Sequence, residues 1–210
     1  AVTLLRLRFN WIGDKGASAL ATVLKETRIT HLDVGWNGIT GDAADQLANV
    51  VLDHASMTDF CGIPLISLRE NCITELNLER KGVGVPGAIV LSKLLPSATA
   101  ITSLKLGCND LGAGAAALAE GLKGNSTLGV LDIWNNRIGA EGASTLAAVL
   151  NATRISKLDL QFNKLGPEGA VALAEGLKGN WTLQTLNLLS NTLDDEAKQA
   201  LNDAAGSGVR

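Results

Sequence analysis

Asp132 and Asp159 are the carboxylates best placed to do chemistry in this sequence. They hold the same place in two similar segments, LGVLDIWNNRI (128–138) and ISKLDLQFNKL (155–165). On adjacent strands they stand about 5 Å apart. That separation suits the carboxylate pair of a retaining glycosidase or an oxygen site for a cation. Lys105 on one flank and Lys157 close by favour a plainer reading, a solvated pair neutralised by lysine. GVGVPG (82–87) satisfies G-x-G-x-x-G, which cradles phosphate when it joins a strand to a helix. Yet VGVPGA (83–88) superposes on IGAEGA (138–143), so a recurring turn already explains its glycines. His31 and His54 have no Cys, Asp or His at ligand spacing. No G-x-S-x-G or comparable nucleophile context occurs. The residues therefore predict no catalytic group, no cofactor, no metal and no small-molecule substrate.

Composition narrows the field further. The 210 residues are 46% hydrophobic and carry a net charge of −3. Without a Lys/Arg run, that balance argues against nucleic acid. No apolar run approaches the ~18–20 residues needed to span a bilayer. Cys61, Cys72 and Cys108 show neither metal-ligand spacing nor even pairing, which points to a reducing, cytoplasmic compartment. Asn125, Asn151 and Asn180 open Asn-x-Thr sequons at one recurrent corner, where capping chemistry accounts for them. The chain opens mid-pattern, as a piece of a longer protein does.

The elements that must position these side chains come from a repeat. VTLLRLRFNWI, ITHLDVGWNGI, ITELNLERKGV, ITSLKLGCNDL, LGVLDIWNNRI, ISKLDLQFNKL and LQTLNLLSNTL begin at residues 2, 29, 73, 101, 128, 155 and 183. Six fit LxxLxLxxNxL, and the third has Lys81 where the others have Asn. The alternation predicts a short strand with one apolar face. A glycine-rich turn follows, then a helical stripe such as Ala170, Leu173, Ala174 and Leu177. One strand–turn–helix unit cannot bury its apolar face, so the units stack. The recurrent Asn is expected to bond backbone in neighbouring turns, and Lys81 predicts a local irregularity. The long step after residue 29 marks an insertion at 53–72, where Phe60, Ile63, Leu65 and Leu68 are spaced to pack as an ordered insertion. Residues 194–205 read as a polar capping helix.

These segments resemble the ribonuclease-inhibitor-like class of leucine-rich repeats. The NxxGxxGAxxLAxxL rhythm is similar to the C-terminal repeats of NOD-like receptors and to those of Ran GTPase-activating protein. The resemblance implies one α/β solenoid domain over 1–210, with a parallel sheet on the concave face and helices on the convex face.

The chain has four tryptophans, three phenylalanines and no tyrosine. Phe9, Trp36, Trp134 and Phe162 fall at two adjacent repeat positions, beside the concave face. Such rings mark a protein-binding surface. Trp134 and Phe162 sit in neighbouring repeats and are expected to be its anchors, with Asp132, Asp159, Gln161 and Lys157 as a polar surround. The reading is a non-catalytic interaction module with a protein partner. Two alternatives are a scaffold subunit of a larger complex and a GTPase-activating regulator.

Overall fold

A computed structural model describes residues 2–207. The first two repeats form β1 (Leu4–Arg6), α1 (Gly13–Leu24), β2 (His31–Asp33) and α2 (Gly41–Asp53). The insertion folds as β3 (Asp59–Phe60), β4 (Ile63–Pro64) and the short helix α3 (Leu65–Arg69). Then come β5 (Glu75–Asn77), α4 (Gly84–Leu94), β6 (Ser103–Lys105), α5 (Gly114–Leu122), β7 (Val130–Asp132) and α6 (Gly139–Leu150). The last elements are β8 (Lys157–Asp159), α7 (Gly166–Leu177), β9 (Thr185–Asn187) and α8 (Asp195–Ser207).

Each three-residue repeat strand points its central leucine at the helices. Leu32, Leu76, Leu104, Leu131 and Leu158 are buried, and Leu47, Leu91, Leu118, Leu146 and Leu173 meet them from the helix layer. The helices approach closely through small residues. A Cβ added at Gly121 would meet the backbone of Ser92 at 2.5 Å, and one at Gly176 would meet the Ala147 carbonyl oxygen at 2.5 Å. The entry to each helix explains the recurring glycine. Gly139 takes φ +69°, where an L side chain is disfavoured. Its N–H donates to the Asn163 carbonyl at 3.0 Å. Gly84, from GVGVPG, repeats this with φ +58° and a bond to the Asn109 carbonyl. The motif is turn geometry.

The recurrent asparagines form the expected ladder. Asn37, Asn109, Asn136, Asn163 and Asn191 are all buried. The Oδ1 of Asn136 accepts the N–H of Asn109 at 2.9 Å, and that of Asn163 accepts the N–H of Asn136 at 2.7 Å. Each amide nitrogen reaches back to the preceding repeat, as Asn136 Nδ2 does to the Leu106 carbonyl at 2.9 Å. Lys81 breaks this run. Its own N–H turns to the Leu78 carbonyl at 3.2 Å.

The sheet divides at the same point. One sheet runs β1-β2-β3-β4 and the other β5-β6-β7-β8-β9. All pairs are parallel except the β3–β4 hairpin. Phe60, Ile63, Leu65 and Leu68 of the insertion are buried, so it packs as a wedge. The helix layer crosses the break unbroken, with α2 against α4.

Candidate functional site

The backbone after each strand sets the site. The residue before the ladder position is left-handed in every repeat: Phe9, Trp36, Arg80, Cys108, Asn135, Phe162 and Ser190 have φ between 50° and 58°. A left-handed residue interrupts period-two alternation. Two successive side chains can then face outward together, and Arg8 and Phe9 line one groove.

Phe9 and Trp36 stack, with ring centroids 5.9 Å apart and planes 4° from parallel. The Arg8 guanidinium carbon lies 5.7 Å from the Phe9 ring centroid. Arg8 Nη2 donates to the Arg80 carbonyl at 3.1 Å, and its Nε lies 3.5 Å from the Asp33 carboxylate. The Arg80 guanidinium in turn sits 5.8 Å from the Trp134 ring centroid. Contacts of this kind contribute roughly 0.5–2 kcal/mol each. Trp134 is half-buried because its indole lies flat over Gly107, where a Cβ would overlap the ring. Trp36 likewise lies against Gly82 of the third repeat. Trp36 therefore braces the point where the sheet divides.

The expected anchors are arranged differently from the sequence reading. Trp134 leans toward the preceding repeat, away from Phe162, and its partners are Gly107 and Arg80. Phe162 is 48% exposed. Among the described residues the stacked ring pair is Phe9 on Trp36. Arg80 joins that pair to Trp134, so a patch that strand spacing makes discontinuous becomes one band. Sequence reasoning passed over Arg8, Arg80, Cys108 and Gly107. The available signal was the repeat alignment, which places Trp134 at the position where Gly35 and Gly107 stand in other repeats.

Asp132 and Asp159 are directly in register across β7 and β8. Burial pushes the Asp132 carboxyl above its ordinary range; the Trp134 N–H opposes this, and the charges of Asp159 and Glu79 add to it. Asn187 Nδ2 donates to Asp159 at 2.9 Å and to Gln161 Oε1 at 3.4 Å. The pair is thus held by amides and backbone, with Lys157 exposed at the start of β8. The sequons are structural at two corners: Asn125 is buried and bonds the Leu95 and Ala98 carbonyls, and Asn180 Oδ1 caps Thr182 and Leu183. His54 is buried, with Nε2 3.0 Å from the Leu24 carbonyl, and His31 is exposed on β2. Among the described residues no cluster of His, Cys, Asp and Glu could hold a metal ion.

Four segments match a family model described as leucine-rich repeat, at residues 2–21, 27–48, 124–147 and 155–174. The chain folds as a leucine-rich-repeat solenoid. No curated protein matches it in sequence. Among solved structures, it is similar to the actin-binding site 2 of leiomodin-1, with a TM-score of 0.62 and 20% identity over 69% of this chain and 87% of that one. It is also similar to the tropomodulin C-terminal domain from Caenorhabditis elegans, with a TM-score of 0.56 and 20% identity over 69% and 90%. At this identity the likeness concerns the solenoid fold. No helix among the described residues is long and apolar enough to cross a membrane.

Proposed function

We propose that this solenoid is a non-catalytic protein-interaction module whose partner docks on the concave sheet face at the aromatic–arginine band. The observation that carries the reading is the Phe9–Trp36 stack joined through Arg80 to Trp134. Trp and Arg dominate binding energy at interfaces, where truncating one costs about 2 kcal/mol or more. Asp132, Asp159, Gln161, Lys157 and the exposed Phe162 extend the surface toward β9 as a polar flank. The leiomodin structure is titled as an actin-binding site, which agrees with a solenoid used for protein contact. The repeat rhythm of the ribonuclease-inhibitor, NOD-like-receptor and Ran-regulator type agrees as well. The three free cysteines fit a cytoplasmic setting.

The test compares pull-downs from source-cell lysate with three baits: wild type, Trp36→Ala/Trp134→Ala and the helix-face control Lys93→Glu, each folded by circular dichroism. A specific protein retained by wild type and control but lost by the ring variant supports the module. Identical capture by all three overturns it.

A further inference from the structure

We infer that the segment recognised at this band is acidic, with an apolar side chain among its carboxylates. This rests on the interaction-module reading and names the partner's chemistry. Two adjoining grooves of about 450 and 470 Å³ share Arg8. The first lies on the sheet face of β1 to β3 and is lined by Arg6, Arg8, Lys81, Asp33 and Asp59 among others. The second holds Arg80 beside Phe9 and Trp36. Together they present four permanent cations (Arg6, Arg8, Arg80, Lys81) against two lining carboxylates (Asp33, Asp59) and the Glu79 carboxylate beside Arg80, a local excess of +1 in a chain whose net charge is −3.

The carboxylates are also the more occupied groups. Asp33 lies against Arg8 at 3.5 Å and its Oδ1 accepts the Gly35 N–H at 3.0 Å. Asp59 Oδ1 accepts the Gly62 N–H at 3.0 Å, and burial pushes its carboxyl up. Arg6 and Lys81 are exposed and form no ion pair among the described residues. Arg80 is 70% exposed on its side chain, with only a loose 3.6 Å approach to Glu79. Arg6 and Lys81 are thus free to meet carboxylates, and Arg80 keeps most of its guanidinium in solvent beside Glu79 and Trp134. Guanidinium–carboxylate contacts are among the strongest hydrogen bonds available. The rings supply an apolar seat in the same band. Beyond Trp134 the polar flank begins at Asp132 and Asp159, with Lys105 in register beside Asp132. The two carboxylates repel the acidic segment, so the flank meets other parts of the partner.

The probe is a phage-displayed library of random dodecapeptides selected on the 210-residue chain in about 0.1 M salt, where charge pairs still act over about 10 Å. Enriched peptides are synthesised and their affinities measured by fluorescence anisotropy. They are tested on wild type, on Arg80→Glu/Lys81→Glu and on Trp36→Ala/Trp134→Ala, with the fold of each checked by circular dichroism. The expected result is enrichment of net-negative peptides carrying an aromatic or aliphatic residue. Charge reversal then weakens them about tenfold to a hundredfold, the span of one hydrogen bond to a charged group. Neutral or basic winners that bind wild type but not the ring variant overturn the acidic assignment and leave the module standing. Acidic winners indifferent to the charge reversal overturn it too. Selection that yields nothing sensitive to either variant overturns both.

Discussion

Replacing Asn136 by Ala should cost far more than replacing Asn10, although both hold the same place in the repeat. Asn136 is fully buried. Its Oδ1 accepts from the N–H groups of Asn109 at 2.9 Å and Leu111 at 3.3 Å. Its Nδ2 donates to the carbonyls of Leu106, Ile133 and Trp134. Those carbonyls keep other partners, namely Asn109 Nδ2, Asn163 Nδ2 and the Cys108 N–H. The two backbone donors lose theirs. A buried donor left without a partner costs about 1–3 kcal/mol, and the longer Leu111 bond counts at the low end. The expected loss is about 2–4 kcal/mol. Asn10 is exposed, and its Nδ2 bonds only the carbonyls of Leu7 and Arg8 in its own turn. Its removal should cost about 0.5 kcal/mol or less, the usual range for a surface change. Urea unfolding followed by far-ultraviolet circular dichroism measures both, and a chain of this size loses about 2–4 °C of melting midpoint per kcal/mol. Equal losses for the two variants, or an Asn136→Ala loss below about 1 kcal/mol, would refute the ladder as a source of stability.

Three further outcomes follow from the same geometry. Gly107→Ala puts a methyl group where the Trp134 indole lies, so tryptophan emission should shift to the red and stability fall by about 1–3 kcal/mol; in a Trp134→Phe background the emission shift should vanish. Asp132→Asn should stabilise the protein at pH 7. The folded Asp132 carboxyl titrates above its unfolded value, so its penalty grows as pH rises through the folded value and disappears below about pH 4, which pH-dependent urea midpoints would show. Burial pushes the Cys61 thiol up to about 12, so native protein treated with a thiol reagent should be modified first at exposed Cys72 and stay unmodified at Cys61, as read by peptide mass mapping.

Much of the molecule was legible because one unit recurs. Leu131, Ile133 and Asn136 state their roles through their counterparts at Leu158, Leu160 and Asn163. The Lys81 exception was visible in the same way. The division of the sheet was not. Its hairpin turns on Cys61 and Gly62, with φ of 50° and 83°, and a turn of this kind is normally signalled by Asn-Gly or Asp-Gly. Cysteine in that place hides it. The Trp134 contact with Arg80 was also out of reach, because repeat position fixes where a side chain starts and not which way a long one leans. The register of the carboxylate pair was legible, but the lysine-neutralised, solvated setting is not what the fold builds. The pair is half-buried, and Asn187 and the Trp134 N–H hold it. Neither Lys105 nor Lys157 forms an ion pair with it among the described residues.

The β3–β4 hairpin wedge, after which the sheet breaks before β5, also bears on mechanics. A stack tied throughout by backbone hydrogen bonds spreads any bending load evenly along its length. Here the load on the strand side passes at one place from paired strands to side-chain contacts, the Arg8 hydrogen bond to the Arg80 carbonyl and Trp36 packed on Gly82, while α2 and α4 carry the opposite side. Compliance is therefore concentrated between the second and third repeats, directly beneath the rings that face outward. A load borne by those rings is applied where the solenoid yields most easily.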